Sequence, residues 1–155
     1  MIPVKEVMTR NVITFKEDTP VDEIAKTLAS KHITGAPVVG ADGSVVGIVS
    51  ETDVLSKRGQ RARDIMSQHV ITVSEDTGID EAARLLIGEK IRRVPVIKRG
   101  KMVGLLSRSD VLEFFATTRW TCNVCGRWER GLEMPERCHS CSSTDIHLER
   151  ADPGH

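Results

Sequence analysis

The feature that most constrains this 155-residue chain is that it states nearly the same pattern twice. Met8-Thr9-Arg10-Asn11-Val12-Ile13-Thr14 lies over Met66-Ser67-Gln68-His69-Val70-Ile71-Thr72. Glu17-Asp18-Thr19 lies over Glu75-Asp76-Thr77, Asp22-Glu23 over Asp80-Glu81, and Pro37-Val38 over Pro95-Val96. After one residue is dropped, Gly47-Ile48-Val49-Ser50-Glu51-Thr52-Asp53-Val54-Leu55 lies over Gly104-Leu105-Leu106-Ser107-Arg108-Ser109-Asp110-Val111-Leu112. The alignment carries 21 identities over about 48 positions, far beyond chance. Self-similarity at one period means one supersecondary unit used twice.

Each copy has the same physical grammar. Val12 to Phe15 is β-branched and aromatic and predicts a short strand. Asp18 or Thr19 can cap a helix whose apolar face is Val21, Ile24, Ala25 and Leu28, at i, i+3, i+4 and i+7. In copy two that face is Ile79, Ala82, Ala83 and Leu86. Pro37-Val38-Val39 and Val45 to Val49 read as two strands joined by a turn at Asp42-Gly43, replaced by Arg99-Gly100 in copy two. Ser50-Glu51-Thr52-Asp53 then reads as a strand-to-helix turn with Ser as the cap. The order is β-α-β-β-α, twice, an α+β class. One copy of about 50 residues would leave a sheet face bare, so the copies are expected to pack as a pair.

Val7-Met8-Thr9-x-x-Val12-x-Thr14, the Pro37-Val38-Val39 strand and Gly47-x-x-Ser50-x-x-Asp53, each repeated, resemble a tandem pair of cystathionine-β-synthase (CBS) domains, the unit often called a Bateman module. The resemblance covers residues 1 to 116, divided as repeats over 1–58 and 59–116. It implies a regulatory sensor that binds AMP, ADP, ATP or S-adenosylmethionine in clefts between the repeats and dimerises into a flat disc. The cleft positions it implies in copy one are Thr14, Ile33, Thr34, Gly35, Ala36, Pro37, Ser50, Thr52 and Asp53. In copy two they are Thr72, Ile91, Arg92, Arg93, Val94, Pro95, Ser107, Ser109 and Asp110.

The residues themselves make a case for a nucleotide. A carboxylate can accept from both vicinal hydroxyls of a ribose. A hydroxyl and free helix N-terminal amides beside it suit a phosphate. Ser50 with Asp53, and Ser107 with Asp110, supply that set. The plainer alternative is a capping motif worth about 1 kcal/mol of stability. The copies differ in the segment that the resemblance places along the cleft: Ile33-Thr34-Gly35-Ala36 has no cation, whereas Ile91-Arg92-Arg93-Val94 has two. The arginines are either phosphate contacts or solvated strand-edge charges.

Beyond residue 118 the composition changes. Both Trp, all four Cys and three of the five His lie there. Cys122-x-x-Cys125 and Cys138-x-x-Cys141 are two knuckles, each able to point two sulfurs at one ion, and together they close a tetrahedral shell. Gly126 permits the tight turn after the first pair. A redox dithiol is usually a single Cys-x-x-Cys opening a helix of a larger α/β fold, and disulfides do not suit a reducing compartment. The segment 119–155 has few large apolar residues, so a bound ion would supply its folding energy, about 10–16 kcal/mol for a structural zinc. Trp120-Thr121-Cys122-Asn123-Val124-Cys125-Gly126, Gly131, Pro135 and Cys138-x-x-Cys141 resemble the rubredoxin-like domain of rubrerythrins, although ordinary zinc ribbons share the four Cys. One zinc or one iron ion remains open. His139 stands where that pattern commonly has Pro. With four thiolates filling the shell, His139 and His147 are expected at the surface.

Composition closes off other functions. Lys plus Arg and Asp plus Glu number 22 each, so no bulk field draws nucleic acid or an acidic membrane. The segment 119–155 carries five Arg against six acidic residues, where a nucleic-acid-binding ribbon would be basic. No apolar run approaches the roughly 20 residues of a membrane span, and the N-terminus has no apolar signal core. A cytoplasmic address is expected. No nucleophile–base pair is visible, so the chain is expected not to be an enzyme. Three functions remain: a nucleotide-sensing homodimer whose metal ribbon serves structure or docks a protein partner; an iron-binding electron-transfer or redox-sensing protein tuned by the CBS pair; and, least suited by charge, a nucleotide-gated nucleic-acid regulator. The expected dimer contacts are the helices Val21–Leu28 and Ile79–Leu86, or the helices following Asp53 and Asp110.

Overall fold

The computed structural model describes residues 1–150; residues 151–155, the end of the segment expected over 119–155, lie outside the described residues. Copy one runs through β1 (Phe15–Lys16), α1 (Val21–Lys31), β2 (Gly35–Val39), β3 (Val45–Ser50) and α2 (Glu51–Ser56). A short helix, α3 (Ala62–Ile65), leads to β4 (Val73–Ser74), α4 (Ile79–Gly88), β5 (Arg93–Lys98), β6 (Lys101–Ser107) and α5 (Arg108–Thr117). The β-α-β-β-α order is therefore present twice. The C-terminal segment adds β7 (Thr118–Cys122), β8 (Trp128–Glu129) and β9 (Ile146–Arg150). Among the described residues three sheets form, ordered β1-β2-β3, β4-β5-β6 and β8-β7-β9. No helix among the described residues is long and apolar enough to cross a membrane.

The chain divides into two compact units. One holds Arg10–Val73 with Pro95–Leu105; the other holds Met1–Thr9, Ser74–Val94 and the described residues from Leu106 to Arg150. The first is built on Phe15, Ile24, Leu28, Ala36, Val38, Val49, Ala62 and Ile65. Ile24 and Leu28, one turn apart, are the buried stripe of α1. The strand expected from Val12 shrinks to Phe15–Lys16. Its parallel register, Phe15 opposite Val38, would set Thr14 beside Pro37, which has no N–H to give. Neither Asp18 nor Thr19 caps α1. The helix starts after Pro20 with no side-chain cap, while Thr19 Oγ1 accepts from the Lys16 N–H at 2.9 Å and closes the preceding turn. Asp22 and Glu23 answer the helix dipole instead.

Both hairpin turns follow the sequence. Asp42 Oδ1 accepts from the Ser44 N–H at 3.1 Å and its hydroxyl at 2.7 Å, and Gly43 takes φ +85°. In copy two, Arg99 (φ +52°) and Gly100 (φ +78°) form a two-residue turn with both residues left-handed, the twist that suits antiparallel strands. Gly47 answers to a close approach. A Cβ there would stand 2.6 Å from Met66 Sδ and 2.9 Å from the Ser67 carbonyl oxygen, because Ile48 and Ser67 exchange backbone hydrogen bonds of 3.0 and 2.9 Å.

The segments ahead of each repeat pack crosswise. A 3-10 turn at Val4–Glu6 sits against the start of α4, with Val4 N–H donating to Thr77 O at 2.8 Å and Ile79 N–H to Ile2 O at 2.8 Å. The linker around Gln60–Ala62 does the same for α1: Val21 N–H donates to Gln60 O and Ala62 N–H to Thr19 O, both at 2.9 Å. In the second unit α4 buries Ile79, Ala82, Ala83 and Leu86, the full expected face.

Candidate functional site

Ser50 and Ser107 each cap the helix that follows, and both turns close as reciprocal capping boxes. Ser50 Oγ accepts from the Asp53 N–H at 3.2 Å while Asp53 Oδ2 accepts from the Ser50 N–H at 2.9 Å. Ser107 and Asp110 repeat those two distances. Capping is thus real in both copies, and what separates them is the rest of each carboxylate. Asp53 Oδ1 is taken by the Lys57 ammonium at 2.8 Å, and Oδ2 also accepts from the Ser50 hydroxyl at 3.0 Å. Burial raises the Asp53 pKa, but the hydrogen bonds from Lys57 and Ser50 outweigh it and leave the group below its ordinary value. In copy two, Phe114 holds the place of Lys57. Among the described residues, the hydrogen bond that Asp110 accepts in addition to its cap comes from the Thr9 hydroxyl, at 3.4 and 3.5 Å to its two oxygens, the outer limit of a hydrogen bond. Ser107 Oγ, besides accepting from the Asp110 N–H, pairs with Ser109 Oγ at 2.8 Å rather than with the Asp110 carboxylate.

The segments expected along the clefts reach these turns through the backbone. Gly35 is the register partner of Ser50, and the Glu51 N–H donates to Thr34 O at 2.9 Å. That assembles Thr34, Gly35, Ser50 and Asp53. Ala36 and Pro37 are buried in β2 and Ile33 is half-buried. In copy two the Arg108 N–H donates to Arg92 O at 3.1 Å, and Arg108 Nε donates to Ile91 O at 2.9 Å. Arg92 is exposed beside the α5 N-terminus, Arg93 is half-buried at the head of β5, and Val94 and Pro95 are buried. Thr52 and Ser109 are exposed in the first helical turns. Thr14 and Thr72, immediately before β1 and β4, belong to neither hydrogen-bonded set. Sequence reasoning passed over Lys57, whose signal was its place four residues after Asp53 on one helix. Thr9 had no local signal: it meets Asp110 from 101 residues away.

The four cysteines converge. Their sulfurs all lie within 4.8 Å of one another, with Cys122–Cys141 at 3.6 Å and Cys125–Cys138 at 3.5 Å. A tetrahedral ion with bonds of about 2.3 Å needs sulfurs about 3.8 Å apart, so the donor set fits one tetrathiolate ion. Each knuckle is a turn closed by its fifth residue: Gly126 N–H donates to Cys122 O at 3.0 Å and Ser142 N–H to Cys138 O at 2.9 Å. Gly126 (φ +81°) and Ser142 (φ +64°) are both left-handed, and only the first is a glycine. Backbone N–H groups of Cys141 and Ser140 hold the Cys138 thiol down to about 6. The Ser143 N–H lowers Cys141, but burial and the neighbouring thiols push it up to about 12. Four thiols this close cannot all ionise without a cation among them. Exposed His139 bonds Glu129 at 2.9 Å. His147 is not fully at the surface: it is half-buried on β9, with Nε2 on Glu149 at 2.9 Å and Nδ1 enclosed without a partner among the described residues.

The CBS domain family model matches residues 4–59 and 62–117. An uncharacterized protein of Methanopyrus kandleri, MK0525, is 36% identical over 121 residues, covering 72% of this chain and 62% of that one. An inosine-5'-monophosphate dehydrogenase of Thermoplasma acidophilum is 38% identical over 109 residues, covering 68% of this chain but 22% of the enzyme. The chain thus spans less than two thirds of either relative. Among solved structures, CBSX2 of Arabidopsis thaliana, in complex with AMP, superposes with a TM-score of 0.70 at 32% identity, covering 73% of this chain and 95% of that one. The CBS domain pair of protein MJ0100, in complex with 5'-methylthioadenosine and S-adenosyl-L-methionine, gives 0.67 at 28% identity, covering 74% and 96%.

Proposed function

The chain belongs to the CBS-domain family, and from that premise we propose that it is a regulatory sensor binding an adenosine nucleotide chiefly at its copy-two turn. The observation that carries this reading is the contrast between the two capping carboxylates. Asp53 is spent on Lys57 at 2.8 Å, whereas Asp110 keeps acceptor capacity that a ribose diol can use, its side-chain hydrogen-bond partner outside the cap, among the described residues, being a Thr9 hydroxyl at 3.4 Å or more. The ligands in the related structures, AMP, 5'-methylthioadenosine and S-adenosyl-L-methionine, have the adenosine ribose in common. The phosphate falls to Arg92 and Arg93, each charge-assisted bond contributing about 1.5–3 kcal/mol. Copy one, with Thr34 and Gly35 in their place, binds weakly or suits an uncharged tail.

Cys122, Cys125, Cys138 and Cys141 hold one zinc or iron ion in a rubredoxin-like or zinc-ribbon segment, in a closed shell that serves structure or partner docking. Two copies associate through the helices that follow Asp53 and Asp110, in the cytoplasm. Leu55 on α2 and Leu112 on α5, homologous positions, are 86% and 66% exposed, while the α4 face Ile79–Leu86 is consumed within its own unit. A thermal-shift screen of AMP, ADP, ATP, S-adenosylmethionine and NAD, with metal analysis of the same sample, tests the reading. A ligand at 100 times its Kd stabilises by about 2.7 kcal/mol. An upward shift with AMP or another adenosyl compound is expected, and no shift with any of the five contradicts it.

A further inference from the structure

Resting on the role just given to Asp110, we propose that the C-terminal sheet completes the copy-two ligand site, so that nucleotide and metal bind cooperatively to one chain. A cavity of about 370 Å³ is lined by Val7 of the N-terminal 3-10 turn, by Asp110 and Phe114 of α5, and by Leu148 and Arg150 of β9. That volume is in the range of pockets that take small ligands. Val7, Phe114 and Leu148 offer apolar surface to a purine, and Asp110 offers its carboxylate to the sugar. Arg150 is the cation that the C-terminal sheet brings among the carboxylates Glu6, Asp110 and Glu113.

The same sheet carries the cysteines, and it is joined to α5 without a linker. The helix ends at Thr117 and β7 begins at Thr118. Thr118 is buried, and its hydroxyl donates to Phe114 O at 2.5 Å. From the far side of the sheet's first turn, Arg130 Nη1 donates to Ala116 O at 3.1 Å and Thr118 O at 3.0 Å, satisfying carbonyls that a helix end leaves open. Register then links wall to metal: β9 pairs with β7 from Arg150 opposite Thr118, through Leu148 opposite Trp120, to Ile146 opposite Cys122. One continuous piece therefore carries Asp110 at the start of α5 and the first metal ligand at the end of β7. Without the ion the segment has little core of its own, and folding and metal binding are one event. A ligand lying against Leu148 and Arg150 meets that wall only when the sheet is formed. Linkage makes the effect reciprocal: whatever factor metal adds to nucleotide affinity, nucleotide adds to metal affinity.

The test uses the full chain loaded with zinc. AMP is titrated calorimetrically into the loaded protein, into protein stripped by chelator and checked by circular dichroism, and into zinc-loaded Arg150→Ala. Zinc affinity is measured by chelator competition with and without saturating AMP. We expect AMP to bind at least about fivefold more weakly after stripping, the lower end of ordinary coupling factors. Zinc should be held more tightly with AMP by the same factor. Arg150→Ala should weaken AMP with zinc content unchanged, which keeps the test decisive if stripping unfolds the whole chain. Equal AMP affinity in all three samples, with zinc competition unmoved by AMP, overturns the coupling and leaves the nucleotide reading standing. No AMP binding by zinc-loaded wild type overturns both.

Discussion

Replacing Lys57 by Met should turn the weak copy-one turn into a better ribose acceptor. Methionine keeps the aliphatic stem and removes the ammonium that stands 2.8 Å from Asp53 Oδ1 and 3.2 Å from Ile65 O. The pair lies at i,i+4 with Lys57 47% exposed and Asp53 13% exposed, so its net contribution after solvent screening is about 0.5–1 kcal/mol. A diol entering copy one must displace it, and removing that cost tightens binding about two- to fivefold at 1.4 kcal/mol per decade. The assay is AMP calorimetry in an Asp110→Ala background, where copy one alone remains, comparing chains with and without Lys57→Met. The same substitution should cost about 0.5–1 kcal/mol of stability near neutral pH. Asp53 has a lowered pKa in the folded chain, so its contribution is present above the unfolded value of about 3.9 and fades as pH falls through the lower folded value. The stability gap between wild type and Lys57→Met should therefore close below about pH 4. Unchanged or weaker residual AMP binding in the double variant refutes the reasoning and makes Lys57 a ligand contact rather than a competitor.

Three further outcomes are expected. Cys138→Ser removes a ligand from the closed shell, so metal analysis should show loss of the ion and near-UV spectra loss of the Trp120 environment, with the CBS repeats still folded; full metal content contradicts this. Gly47→Ala sets a methyl against Met66 and the Ser67 carbonyl and should lower stability by about 1–3 kcal/mol in urea unfolding, as overpacking does; a neutral result refutes the close approach. Leu55→Glu with Leu112→Glu should leave each chain folded but monomeric by light scattering, and a persistent dimer rejects that interface.

Much of this was legible because local chemistry and the repeat agree. Both Ser-x-x-Asp turns close as capping boxes, the α4 face is buried as its spacing requires, and the knuckle spacing brings four sulfurs within 4.8 Å. What was hidden is non-local or is a competition between local options. Thr19 has the chemistry of a helix cap but spends its hydroxyl oxygen on Lys16, a choice that spacing alone cannot rank. The crosswise packing of Val4 on Thr77 and Gln60 on Val21 leaves no mark in an alignment of the two copies, which pairs like with like. The Lys57 and Phe114 difference was in plain view two residues past the aligned Leu55 and Leu112, but its meaning depends on where the Asp53 and Asp110 side chains point.

The proposed nucleotide sensing depends most directly on the inequality of the Asp53 and Asp110 carboxylates. Calorimetric titration of AMP into metal-loaded wild type, Asp110→Ala and Asp53→Ala measures it in one series. The account predicts a loss of about tenfold or more from Asp110→Ala, the equivalent of about 1.4 kcal/mol or more, and a change within about twofold from Asp53→Ala, about 0.4 kcal/mol or less. Equal losses, or a larger loss from Asp53→Ala, would contradict it.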